Sequence, residues 1–161
     1  MYVHPLAYMS PDEGEAWADD IVVEKIAEPE QVMAEIMARP NPSDGDRKLI
    51  GWWLVHKGDL AGAEKIMLAS TGLTRADLAT ILAQATTDPT QRIPYLVQMV
   101  AYGGPTYHEG LKRFNELAAD LTPQQRFSIA VEALKLNGTD ERAQRAVTML
   151  ADTQTLTDSL E

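Results

Sequence analysis

The run from Gly51 to Leu68 constrains this chain most. It reads Gly51-Trp52-Trp53-Leu54-Val55-His56-Lys57-Gly58-Asp59-Leu60-Ala61-Gly62-Ala63-Glu64-Lys65-Ile66-Met67-Leu68, with two of the three tryptophans and the densest apolar run. Gly58-Asp59 breaks it in the middle. Glycine ends a helix readily because it adopts the left-handed backbone, and aspartate caps the next helix through a side-chain oxygen. The run therefore predicts a helical hairpin. A first helix spans about 43–57, with Leu49, Trp52, Trp53 and His56 on one side. A second spans about 59–70 and buries Leu60, Ala63, Ile66 and Met67.

The rest of the chain is punctuated in the same way. Ser10-Pro11-Asp12-Glu13 combines a capping residue, a proline at the first helical position and acids at the positive end of the helix dipole. In the helix it starts, Trp17, Ala18, Ile21, Val22 and Ile26 fill about half of the wheel. Asp12, Glu13, Asp19, Asp20 and Glu24 fill most of the other half. Pro29 opens a helix to Arg39 whose Val32, Met33, Ile36 and Met37 form one apolar face. Pro40-Asn41-Pro42-Ser43-Asp44-Gly45 is the sharpest break. After the hairpin, Thr74 caps a helix over 74–86 with Leu73, Leu78, Ile81 and Leu82 apolar. Asp88-Pro89 starts one that reaches Tyr102, and Pro94 should kink it or mark its true start. Helices over 105–120 and 122–137 follow, the second with Phe127, Val131 and Leu134 inside, and a last one over 139–152. The expected fold is all-α: a single domain, residues 1–161, of about eight short antiparallel helices in a helical-hairpin bundle or short α-solenoid. It divides into an acidic N-terminal arm with two helices (1–42), a helical-hairpin body (43–152) and a polar tail (153–161).

The spacing Gly51-x6-Gly58-x4-Ala63, with the small Ser70 seven residues later, resembles the tetratricopeptide-type helical hairpin. A weaker echo is Gly138-x4-Ala143, and Gly104 lies 34 residues before Gly138, the period of that family. Val131 and Leu150 stand where the earlier hairpin has small residues, so the resemblance covers two or three joints. It implies stacked helical hairpins and protein or peptide binding.

Composition narrows the function. The 161 residues contain no cysteine, which removes disulfides, thiol nucleophiles and cysteine-based metal sites and suits a reducing, cytoplasmic setting. No apolar run approaches the roughly 20 residues of a membrane helix, and no signal peptide is legible at the N-terminus. The net charge is −10, and it is unevenly placed. Residues 1–46 carry eleven acids against Lys25 and Arg39, hence −9; residues 47–161 carry thirteen acids and twelve bases, hence −1. That end would repel a phosphate backbone and attract a basic surface. Acidity that serves only solubility is the plainer alternative.

Three clusters are candidates for chemistry. His56 beside Trp52 and Trp53 suits a pocket wall, although a core histidine next to the hairpin turn is the commoner meaning. Tyr102-Gly103-Gly104-Pro105-Thr106-Tyr107-His108-Glu109 groups two tyrosines, a histidine and a glutamate at a glycine turn. It lacks the lysine and hydroxyl of a phosphate loop and the second histidine of a zinc helix, so it reads first as a helix elbow. The acid face Asp12, Glu13, Asp19, Asp20 and Glu24 lies along one solvated side, whereas catalytic carboxylates face each other across a pocket. Asp44-Gly45-Asp46 lacks the further ligands of a calcium loop. Thr74–Ala79 as half of a helix-turn-helix would leave Pro89, Pro94 and a lone Arg92 in the recognition segment. Neither a metal nor a cofactor is expected, nor direct nucleic-acid binding, and the sequence does not set the oligomeric state.

The resulting expectation is a non-enzymatic interaction protein (adaptor, immunity-type or inhibitor) that binds a basic protein partner. Asp12, Glu13, Asp19, Asp20, Glu24, Tyr102, Tyr107 and His108 are the expected contacts. The alternatives are a nucleic-acid mimic that blocks a DNA- or RNA-binding protein, and a small-molecule or enzymatic site at Trp52/His56 or Tyr102–Glu109.

Overall fold

The computed structural model describes residues 28–103 and 108–139 and positions 141, 144, 145 and 148; for 108–111 it describes the backbone alone. The described chain is all-helical. Its elements are α1 (Pro29–Met37), α2 (Asp44–His56), α3 (Leu60–Leu68), α4 (Gly72–Ala85), α5 (Pro89–Tyr102), α6 (His108–Leu117) and α7 (Pro123–Asn137). The helix expected to start at Ser10-Pro11 lies, up to residue 27, outside the described residues.

Most helix starts follow from local chemistry. Ser43 and Asp46 form a reciprocal capping box at α2: the Asp46 N–H donates to Ser43 Oγ at 3.1 Å, and the Ser43 N–H donates to the Asp46 carboxylate at 2.9 Å. Thr122 and Gln125 do the same at α7. Asp59 accepts from Gly62 N at 2.9 Å and Asp88 from Thr90 N at 2.8 Å. Prolines 29, 89 and 123 sit in first turns, where a missing N–H costs nothing. Gly58 joins α2 to α3 with φ +81, a left-handed value that glycine alone adopts cheaply, and Asp59 N donates back to Leu54 O at 2.8 Å.

The structure moves three of these boundaries or faces. The fourth helix starts at Gly72 behind Thr71, not at a Thr74 cap; Thr74 is buried inside it. The fifth helix keeps its expected bounds, Pro89 to Tyr102, so Pro94 does not mark its start. Phe127 and Leu73 are exposed, and α7 buries Ile129, Ala130 and Ala133 instead. The apolar face of α1 is likewise narrower than expected, with Met33 and Ile36 buried and Val32 and Met37 outside.

The centre of the bundle is α4, not the α2–α3 hairpin. Ala76, Leu78, Ala79, Thr80, Leu82 and Ala83 are all buried, and α4 packs on α2, α3 and α5. A helix buried around most of its circumference needs small side chains for close approach. At Gly51 of α2 the approach is closest, since a Cβ there would collide with the Leu78 side chain. The main core joins Met67 of α3, Leu78 and Leu82 of α4, Leu96 and Val100 of α5, Phe114 of α6 and Ile129 of α7. A smaller cluster of Met33, Ile36 and Ile50 attaches α1 to α2, with Trp53, Leu54 and Ile66 packed against it. The buried hydroxyls of Thr80 and Thr86 donate to Ala76 O and Leu82 O, both at 2.8 Å, so they enter the core without an unmet donor.

One side chain recurs at the joints. Arg47, Arg75, Arg92 and Arg126 each stand four residues after a helix-capping position: Ser43, Thr71, Asp88 and Thr122. Each guanidinium reaches back to backbone carbonyls at helix ends or turns. Arg47 donates to Pro42 O and to Ala69 O at 2.6 Å. Arg75 donates to Leu68 O. Arg126 donates to Leu121 O and Ala119 O. Arg92 donates to Thr86 O at 3.0 Å and to Leu117 O at 2.7 Å, tying the ends of α4 and α6 to the start of α5.

Hydrogen bonds to charged groups contribute about 1.5–3 kcal/mol each, so Arg92→Ala is expected to lower stability by roughly 2–4 kcal/mol in urea unfolding. Arg113→Ala, at an exposed position, should stay within about 0.5 kcal/mol.

Candidate functional site

The α2 helix divides into three sides. Asp46, Ile50, Trp53 and Lys57 face α1: Asp46 pairs with Arg39 at 2.7 Å, Lys57 with Glu30 at 3.0 Å, and Ile50 and Trp53 pack with Met33 and Ile36. These pairs also set the direction, with the start of α1 beside the end of α2. Gly51 faces α4. The third side carries Leu49, Trp52 and His56, spaced i, i+3, i+7, and all three are exposed.

That stripe is ordered by aromatic stacking. The Trp52 and His56 rings lie 5.6 Å apart and 2° from parallel. Trp53 meets the same imidazole obliquely at 6.3 Å, and Lys57 Nζ stands 4.5 Å over the Trp53 ring. Trp52 keeps 52% of its surface in contact with solvent, a large apolar area to leave uncovered. The expectation of a core histidine next to the turn fails here. Gly51 and Ile50 take the inward positions, and the helical repeat carries residue 56 to the outside with 49 and 52.

Of the expected elbow, the Tyr102 end is described. Tyr102 is half-buried at the end of α5, with the Arg75 guanidinium 4.5 Å over its ring and Arg75 Nε donating to Gln98 Oε1 at 2.8 Å. The ring is part of an α4–α5 joint. His108 is the first residue of α6, in backbone only, and Tyr107 lies outside the described residues. So do Asp12, Glu13, Asp19, Asp20 and Glu24. No cluster of three or more metal-ligating side chains occurs among the described residues, and none of their helices is long and apolar enough to cross a membrane.

The four joint arginines were legible as a spacing, a capping residue followed four positions later by Arg. Counted only as charge, they carry no such signal. No protein-family profile, curated protein or solved structure matches this chain.

Hydrogen bonding lowers two carboxyls on this face. Lys57 hydrogen-bonds Glu30 and holds its carboxyl below the ordinary range. Asp46 is lowered by the Ser43 N–H and hydroxyl, with a smaller part from Arg39. These donors gather only in the folded chain. The contribution is present above the unfolded value, about pH 4, and is lost as pH falls through the lower folded values. Carboxyl titration by NMR should place both midpoints below ordinary, and Ser43→Ala should move that of Asp46 upward.

Proposed function

We propose that this chain is a non-enzymatic protein-interaction protein that binds a partner with a basic surface through its acidic N-terminal region. Asp12, Glu13, Asp19, Asp20 and Glu24 supply the contacts. The observation that carries this reading is where the cations of the body are used. Arg47, Arg75, Arg92 and Arg126 are turned onto carbonyls within the bundle. Lys48, Lys112 and Lys135 pair with Asp77, Glu116 and Glu132. Among the described residues, these seven cations are engaged within the body, and Lys57 pairs with Glu30 of the acidic third. A one-signed region on a nearly neutral body steers an oppositely charged partner and speeds its association.

Affinity capture from the native host, followed by mass spectrometry, should recover a protein with a basic face. Reversing Asp19, Asp20 and Glu24 to Lys should slow association with it by about tenfold or more at low salt, with the difference shrinking as salt rises. Unchanged capture by the reversed protein would defeat the reading.

A further inference from the structure

We infer that the Leu49–Trp52–His56 stripe is the intramolecular seat of residues 11–26, which dock on it through Trp17, Ile21, Val22 and Ile26. The stripe is apolar, exposed and one residue wide, the form of a helix face that awaits a second helix. The segment has the complementary pattern in its sequence, with one apolar half and one acidic half.

Geometry supplies the connection. Glu30 bonds Lys57, so the chain enters α1 beside the His56 end of the stripe. At 100° per residue, the stripe lies about a quarter turn around α2 from the side that faces α1. A helix seated there is a side-by-side neighbour of α1. Two residues, Ala27 and Glu28, separate Ile26 from the start of α1 at Pro29, within the two- to five-residue range of αα-hairpin loops. The segment would then run alongside α2 in the same direction, with Ile26 near His56, Ile21 and Val22 near Trp52, and Trp17 toward Leu49. A 16-residue helix of about 24 Å covers the whole of α2, which is about 20 Å long. Docked in this way, the acidic half faces outward. The inference holds whether or not a basic partner exists.

Trypsin tests it on the full chain. Lys25 is the first Lys or Arg of the chain, and the next, Arg39, resists trypsin because Pro40 follows it. Docking shields that bond, and cleavage follows the population of the open form. Trp52→Asp should speed cleavage at Lys25 about tenfold or more. Ile21→Asp should do the same, and it cannot act by unfolding the body because it lies in the segment itself. The wild-type protection should persist over a hundredfold dilution. Equal rates in wild type and both variants overturn the inference. Protection that disappears on dilution also overturns it, since the cover is then a second copy.

Discussion

Short helices leave many ends, and every end leaves backbone groups without an intrahelical partner. In this bundle four arginines settle much of that requirement at the carbonyl side. Arg92 is the fullest case, holding the end of α4, the turn after it and the end of α6 from one guanidinium. Arginine suits the task because its planar fork presents several donors in fixed geometry, which a lysine ammonium does not. In α2, α4, α5 and α7 the capping position and the arginine four residues later lie on neighbouring positions of one turn, so helix initiation and joint closure are coupled.

That arrangement lets the centre stay small and apolar. With the ends held, α4 is surrounded by α2, α3 and α5 and lined with alanine, threonine and leucine. Gly51 lets α2 come close at Leu78. The tryptophan-rich hairpin is displaced from the centre as a result. Trp53 serves the minor cluster with Met33 and Ile36, and Trp52 is left stacked on His56 at the surface. The same packing that buries α4 therefore creates the exposed stripe on α2, and it places that stripe where the chain entering α1 begins.

The fold class was legible because its signals are local. Ser43, Asp59, Asp88 and Thr122 cap the helices that their sequence positions announce, and Gly58 turns the chain as its neighbours require. Faces were less legible. Phe127 and Leu73 are as apolar as their buried neighbours, and nothing in a single helix says which of two apolar edges will meet another helix. The candidate site was legible only in part. The Trp52–His56 pairing followed from i, i+4 spacing, while its exposure did not. Tyr102 was legible as an aromatic at an elbow, and the Arg75 guanidinium over it was not.

The sequence by itself determined the helices, most of their starts, the charge asymmetry and the absence of thiol chemistry, because these depend on residues within one turn of each other or on composition. Only the tertiary structure decided that α4 and not the Gly51–Leu68 hairpin lies at the centre, that the arginines close the joints, and that Leu49, Trp52 and His56 face outward. Each of those outcomes depends on which helices share a boundary, and burial is a property of that shared boundary rather than of either helix alone.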